Sequence, residues 1–299
     1  MTPKTLTQDI SWMEKDIVDI ISTLAKVSAD MRSTFPDKRG LAGTKNVYGE
    51  EQEKLDVWAD KVLTKELIDR GKVKAVLSEE QEQATMGTGR YVVTMDPLDG
   101  SSNIKSNNMF GTIIGIYDGK DKDSVLIAGK DMNCAFYVMY GPLTSIVLAS
   151  EKGVSEYLYH EDKKDFFLAK EGITIPEPGK LYSFGGANDG WDKKDLALKD
   201  KFFEAGLKLR YGGAFVGDIN QILTYGGIFF YPKNKKMERG KLRLVIECNP
   251  MAYIITKAGG NAIDDKGTRI LDIPPEKIAH RTPIYIGSKE QVDIVKKDL

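Results

Sequence analysis

Asp96-Pro97-Leu98-Asp99-Gly100-Ser101-Ser102 follows directly on a short apolar, β-type run, Tyr91 to Met95. A second run of the same kind, Val73 to Leu77, stops as abruptly in Ser78-Glu79-Glu80. Both acidic clusters therefore stand at the C-terminal ends of strands, where a carboxylate is held rigidly at the mouth of a cleft. Asp96 and Asp99 are separated by proline and leucine, a spacing suited to a turn that aims both carboxylates and the Leu98 carbonyl at one point. Gly100 lets the backbone approach a ligand, and Ser101 and Ser102 add hydroxyls and adjacent N–H groups that can cradle phosphate oxygens. Carboxylates that gather cations beside donors that gather anions suit metal-assisted phosphoryl transfer. Taken alone, the same residues also make an ordinary acidic surface turn.

Outward from this stretch, the patterning is mixed α and β. Ile10, Met13, Ile17, Ile20, Leu24, Val27 and Met31 recur at helical steps and predict one long amphipathic helix over 8–32. A loop is expected from Pro36 to Glu50, then a helix from Glu51 to Arg70 ended by Gly71. Gly111–Tyr117, Ala135–Tyr140 and Ser145–Ala149 read as strands, and the proline-bearing stretch Glu171–Lys180 as a linker. In the second half, helices are predicted at Lys193–Ala205, Val216–Thr224 and Pro250–Lys257, and strands at Gly227–Tyr231, Leu242–Ile246 and Pro283–Gly287. This predicts layered sheets and helices in two parts, 1–180 and 181–299.

The bulk composition narrows the function classes. Among 299 residues, 43 Lys and Arg balance 44 Asp and Glu, so no global charge excess points to nucleic acid or an anionic membrane. No apolar run approaches the ~20 residues of a membrane span, and the N-terminus lacks a signal-peptide pattern. Two cysteines in no metal-like or redox-like spacing fit a cytoplasmic setting. With only two histidines, a multi-His zinc site is excluded, and an oxygen-ligand metal, Mg2+ or Mn2+, is favoured.

Asp96-Pro97-Leu98-Asp99-Gly100-Ser101-Ser102-Asn103, preceded by Leu77-Ser78-Glu79-Glu80, resembles the signature of class I fructose-1,6-bisphosphatases and the sister sedoheptulose-1,7-bisphosphatases. More loosely it is similar to the inositol monophosphatase superfamily. The resemblance extends through Leu41-Ala42-Gly43-Thr44-Lys45-Asn46-Val47 and Lys54-Leu55-Asp56-Val57. It resumes at Gly226–Pro232 and Gly240–Ala252 and covers nearly the whole chain. It implies an α-β-α-β-α layered sugar phosphatase fold, with the metal site at the interface of two mixed-sheet subdomains. It implies two or more metal ions held by Glu79, Glu80, Asp96, the Leu98 carbonyl, Asp99 and Glu247. Asp56, with Glu80, would help activate the attacking water. Gly100, Ser101 and Ser102 would hold the 1-phosphate, Lys241 and Arg243 would face the substrate, and Tyr211 and Tyr231 would line a distal phosphate pocket. Arg210 matches an arginine that reaches across from a neighbouring subunit, which implies a homodimer or homotetramer. Independently of the family, Lys241 and Arg243 alternate along the expected strand and so share one face.

Departures from the pattern bear on the sugar. Gly185, in Tyr182-Ser183-Phe184-Gly185-Gly186, stands where the fructose enzymes carry an asparagine for the distal phosphate. Glycine there is expected to open space for a substrate one carbon longer. The likeness to the sedoheptulose enzymes is also closer in Tyr140–Thr144, Tyr117–Asp121 and Leu209–Ile222, while the C-terminal third resembles the fructose enzymes more. The expectation leans slightly to sedoheptulose 1,7-bisphosphate, with fructose 1,6-bisphosphate also accepted. A strict fructose-1,6-bisphosphatase, a monophosphatase of the same superfamily, and a catalytically silent sugar-phosphate-binding regulator are the alternatives. The AMP-binding turn of the mammalian-type enzymes has no counterpart near Thr5-Leu6-Thr7, and Asp118 replaces an arginine that would meet the nucleotide phosphate. Only Arg90-Tyr91 remains similar, so potent AMP inhibition is not expected.

Overall fold

In the computed structural model, two helices open the chain, α1 (Leu6–Asp9) and α2 (Lys15–Lys38). A small antiparallel pair, β1 (Leu41–Lys45) and β2 (Glu51–Glu53), leads into α3 (Lys54–Asp69). Residues 3–38, 41–45, 51–120, 124–186 and 190–299 are described, without the side chains of Lys38, 41–45 and 51–54. Asn46, Val47 and Asp121, which belong to the resembling strings, lie outside the described residues.

Eight strands follow: β3 (Val73–Ser78), β4 (Thr85–Met86), β5 (Tyr91–Asp99), β6 (Phe110–Asp118), β7 (Met132–Tyr140), β8 (Thr144–Ser150), β9 (Gly153–His160) and β10 (Asp165–Lys170). They form one mixed sheet in the order β10-β9-β8-β7-β6-β5-β3-β4. The second half supplies β11 (Leu181–Phe184), α4 (Lys193–Glu204), β12 (Lys208–Leu209), α5 (Phe215–Tyr225) and β13 (Gly227–Tyr231). Then come α6 (Asn249–Lys257), β14 (Asn261–Ile263), β15 (Ile284–Gly287) and α7 (Lys289–Asp298). Its sheet runs β12-β11-β13-β15-β14.

Strand alternation decides the layers, because neighbouring residues point to opposite faces. Val93, Ile114 and Phe136 of the large sheet pack with Leu24 of α2 and Leu63 of α3. Val92, Ile113 and Tyr137, one residue away, face Val216 and Ile219 of α5 and Met251 and Ile254 of α6. The same core reaches Phe229 and Ile286 of the second sheet. On that sheet's outer face, Ile228, Phe230 and Tyr285 bury Leu198 and Phe202 of α4 and Val292 and Val295 of α7. The result is the expected α-β-α-β-α stack. Among the described residues no helix is long and apolar enough to cross a membrane.

Four local expectations need correction. The long N-terminal helix is two helices, because Thr5 and Gln8 close a capping box that starts a separate short turn before Lys15. Part of the loop expected from Pro36 to Glu50 is regular structure, since α2 continues to Lys38 and Leu41–Lys45 pairs as a strand, and the rest of it lies outside the described residues. The helix expected from Glu51 starts at Lys54, because Glu51–Glu53 forms β2. Leu242–Ile246 is not a strand: Leu244–Cys248 forms a π-helical turn that runs into α6, with Cys248 N–H donating to the Arg243 carbonyl at 3.0 Å. A continuous apolar run has no period to distinguish these outcomes. Such π turns cluster at functional sites, and this one carries Glu247.

Candidate active site

The carboxylates meet because β3 and β5 are parallel neighbours, with Leu77 opposite Thr94 and Ser78 opposite Met95. Their C-terminal ends therefore emerge side by side. Glu79 N–H, donating to the Met95 carbonyl at 3.1 Å, carries that register into the turn. On the other side of β5, Asp96 faces Ile113 while Asp99 faces Gly111, so three steps on one strand match two on the other. The extra residue is a bulge at Pro97-Leu98, where proline has no N–H to lose. Thr112 hydroxyl donates to the Pro97 carbonyl at 2.8 Å, and Leu98 N–H donates to Asp96 Oδ1 at 3.0 Å, which fixes the bulge. Gly100, at φ 76°, then turns the chain into the 3-10 segment Ser101–Ile104.

Glu247 arrives from the other half on the π turn. Its Oε2 accepts from the Arg243 N–H at 2.6 Å, so the turn and the carboxylate orient each other. Carboxylate oxygens of Glu79, Asp96 and Glu247 all lie within 4.8 Å of one another. Asp99 is set slightly apart, its Oδ2 accepting from the Val216 N–H at 2.7 Å at the start of α5.

Electrostatics make this cluster costly without a cation. Burial first, then the neighbouring carboxylates, pushes Asp96 well above the usual range. Burial lifts Asp99 to about 7, against the pull of the Val216 and Phe215 N–H groups. Burial and Glu79 lift Glu247 to about 8, with Arg243 opposing. Several buried carboxylates that resist ionisation beside one another are what a bound divalent cation would stabilise. An all-oxygen donor set of this kind fits a hard ion.

These residues border one cavity of about 370 Å3. Asp56, Glu79, Glu80, Asp96, Leu98, Asp99 and Glu247 line it together with Gly100, Ser101 and Ser102. Tyr211, Tyr231, Lys241 and Arg243 line it too. Asp56 comes from the first turn of α3 and is buried. Arg243 does more than line the cavity. Its guanidinium pairs with Glu79 Oε1 at 2.5 Å and reaches Glu247 Oε2 at 3.7 Å, so it also braces the carboxylates. Arg210 does not border the cavity of its own chain; its exposed guanidinium bonds Gln221 at 3.1 Å and lies over the Tyr225 ring.

The space expected at Gly185 is already filled. A Cβ there would stand 2.1 Å from Cδ2 and 2.3 Å from Cε2 of Tyr231, so the tyrosine ring rests on the glycine. Glycine at 185 therefore seats an aromatic ring instead of lengthening the cavity.

One charged cavity residue escaped the sequence reading. Asp218, in the first turn of α5, is almost fully buried and lines the same cavity. Its signal was a single carboxylate within the otherwise apolar Phe215–Leu223 face. Arg90 is ion-paired with Asp118 and with Glu14, the latter at 2.7 Å. The Arg90 hydrogen bond holds Asp118 below the ordinary carboxylate range.

Comparison with known proteins gives concordant matches over both halves. The fructose-1-6-bisphosphatase N-terminal domain family matches residues 5–171, and the C-terminal domain family matches residues 175–299. A class 1 fructose-1,6-bisphosphatase of Methanocorpusculum labreanum is 41% identical over 295 residues, covering 97% of this chain and 90% of that protein. A cytosolic fructose-1,6-bisphosphatase of Oryza coarctata is 42% identical over 272 residues, covering 86% of this chain and 79% of the other. The crystal structure of Leishmania major fructose-1,6-bisphosphatase in holo form superimposes with a TM-score of 0.92 at 32% identity, covering 100% of this chain and 99% of that one.

Proposed function

The chain belongs to the fructose-1,6-bisphosphatase family and is a phosphoric monoester hydrolase, and from that premise we propose that it removes the 1-phosphate of fructose 1,6-bisphosphate with magnesium. The observation that carries the reading is one cavity. It joins the carboxylate cluster and the Ser101-Ser102 turn at one end to Tyr211, Tyr231 and Lys241.

The lean toward the seven-carbon sugar is withdrawn. The space expected at Gly185 is occupied by the Tyr231 ring, and the relatives above are named as fructose enzymes. In the proposed reaction Ser101 and Ser102 bind the 1-phosphate, Lys241 counters substrate charge, and Tyr211 and Tyr231 bind the distal phosphate. Asp56 and Glu80 orient the attacking water and take its proton. Glu79, Glu80, Asp96, the Leu98 carbonyl, Asp99 and Glu247 would hold two or more Mg2+ ions, with Mn2+ as the substitute. Bound there, the metal supplies Lewis acidity at the phosphate and lowers the pKa of a bound water. Arg243 keeps Glu79 and Glu247 aligned.

Three further parts belong to the same proposal. The chain divides into a metal-binding part, 1–180, and a sugar-phosphate-binding part, 181–299. It assembles as a homodimer or homotetramer, supported by the position of Arg210 away from its own cavity. It works in the cytoplasm, supported by two buried free cysteines.

Phosphate release from fructose 1,6-bisphosphate and sedoheptulose 1,7-bisphosphate, measured side by side with Mg2+ and with Mn2+, tests the substrate. The fructose compound is expected to give the higher kcat/KM. A higher value for the sedoheptulose compound would overturn the sugar assignment, and release from neither would overturn the reaction.

A further inference from the structure

The two ends of the cavity are joined by a short piece of chain, Tyr211–Ala214, whose fastening is unusually complete. At one end, Tyr211 belongs to the wall that meets the distal phosphate. At the other, Ala214 packs on Gly100, where a Cβ would lie 2.3 Å from the Ala214 Cβ.

Both backbone polar groups of Gly212 between them are held by side chains. Its N–H donates to Asp218 Oδ1 at 2.7 Å. Its carbonyl accepts from Asn103 Nδ2 at 2.8 Å and from Asn108 Nδ2 at 3.3 Å. Asn103 follows Ser102 directly, and its Nδ2 also donates to the Met109 carbonyl at 2.8 Å. Asp218 Oδ1 also accepts from the Ser183 hydroxyl at 3.3 Å, two residues before Gly185. Asp218 is 1% exposed, so its bonds are made with little competition from water.

We infer that Asn103 and Asp218 are positioning residues that clamp Gly212 and thereby set the separation of the two phosphate pockets. The inference rests on the proposed reading of the cavity as a bisphosphate site. Asn103 ties the clamp to the turn that takes the 1-phosphate. Asp218 ties it to the strand that carries the distal pocket. A sugar bisphosphate spans both pockets and gains from a fixed spacing, whereas a 1-monophosphate needs only one of them. The clamp therefore selects for substrate length through where it holds Gly212.

Steady-state kinetics of the full chain with Mg2+ provide the test, using fructose 1,6-bisphosphate and fructose 1-phosphate on the wild type, Asn103→Ala, Asp218→Ala and Asp218→Asn. Each alanine variant strips a side-chain partner from the half-buried backbone of Gly212, and KM for the bisphosphate is expected to rise about tenfold. The kcat/KM for the monophosphate should stay within about twofold. Asp218→Asn keeps an oxygen for the Gly212 N–H and should restore most of the loss. Equal losses on both substrates, or an unchanged bisphosphate KM in the folded variants, would overturn the clamp. The two alanine variants attack it from opposite sides, so one that melts below the assay temperature leaves the other to decide. A wild type inactive on the bisphosphate overturns the functional reading itself, an outcome distinct from an active enzyme whose substrate ratio does not move.

Discussion

Replacing Gly185 with alanine adds one methyl group at the point where the Tyr231 ring rests. The new Cβ would stand 2.1 Å and 2.3 Å from two ring carbons. Ordinary carbon contacts lie at about 3.5–4.0 Å, so the ring must retreat by roughly 1.5 Å. That movement carries the tyrosine hydroxyl away from its place in the cavity wall. A hydrogen bond to a charged group contributes about 1.5–3 kcal/mol, which sets the loss at roughly tenfold to a hundredfold in KM. Alanine is the informative choice, because asparagine would bring its own hydrogen bonds to the phosphate. The assay is steady-state release of phosphate from fructose 1,6-bisphosphate, with fructose 1-phosphate as the control lacking the distal group. The bisphosphate KM should rise while the monophosphate is turned over as before. If the bisphosphate KM does not move, either the ring is not seated on Gly185 or Tyr231 does not meet the distal phosphate.

Other consequences are open to simple measurement. Asp96→Asn relieves repulsion in the carboxylate cluster, so without metal it should melt no lower than the wild type. Magnesium should stabilise the wild type by about 2.7 kcal/mol at a hundredfold excess over Kd and the variant much less; equal melting shifts would count against Asp96 as a ligand. Burial raises the Asp195 carboxyl to about 6, although the Tyr285 hydroxyl donates to it. A raised folded pKa penalises the charged carboxyl, so this group lowers wild-type stability progressively as pH climbs from about 4 through the folded value. Asp195→Asn should therefore gain on the wild type across that window in a pH series of thermal melts, and a constant difference would refute the assignment. Because Asp118 and Glu14 already engage Arg90, AMP should leave activity unchanged, and sub-millimolar inhibition would show that the nucleotide position still works.

The acidic turn could be read from the sequence because its parts are adjacent in the chain. A strand, a proline bulge, two aspartates and a glycine with two serines lie within a dozen residues. The strands β3 and β5 were each visible as an apolar run ending in acid, but their parallel pairing, which brings the two acidic ends together, is not specified by those runs. What escaped the reading was created by distance or by loss of period. Leu244-Val245-Ile246 is apolar on every side, so no alternation separated a strand from the π turn it forms. The β9 and β10 strands were passed over because β9 does not alternate regularly between buried and exposed residues. Gly185 was misjudged because its neighbour in space, Tyr231, lies on β13, paired to β11 across the second sheet. Asp218 falls inside the helix expected over Val216–Thr224, yet its contacts appear only when the helix start is brought against Gly212 and Ser183.

The central claim is that buried carboxylates from both halves hold a metal that hydrolyses one end of a sugar bisphosphate. Product analysis of fructose 1,6-bisphosphate turnover by the purified protein, with Mg2+ and then with excess chelator, addresses it most directly. The expected result is one phosphate released per sugar, fructose 6-phosphate as the product, and no release once the metal is removed. Chelator-resistant release, or fructose 1-phosphate as the product, would contradict it.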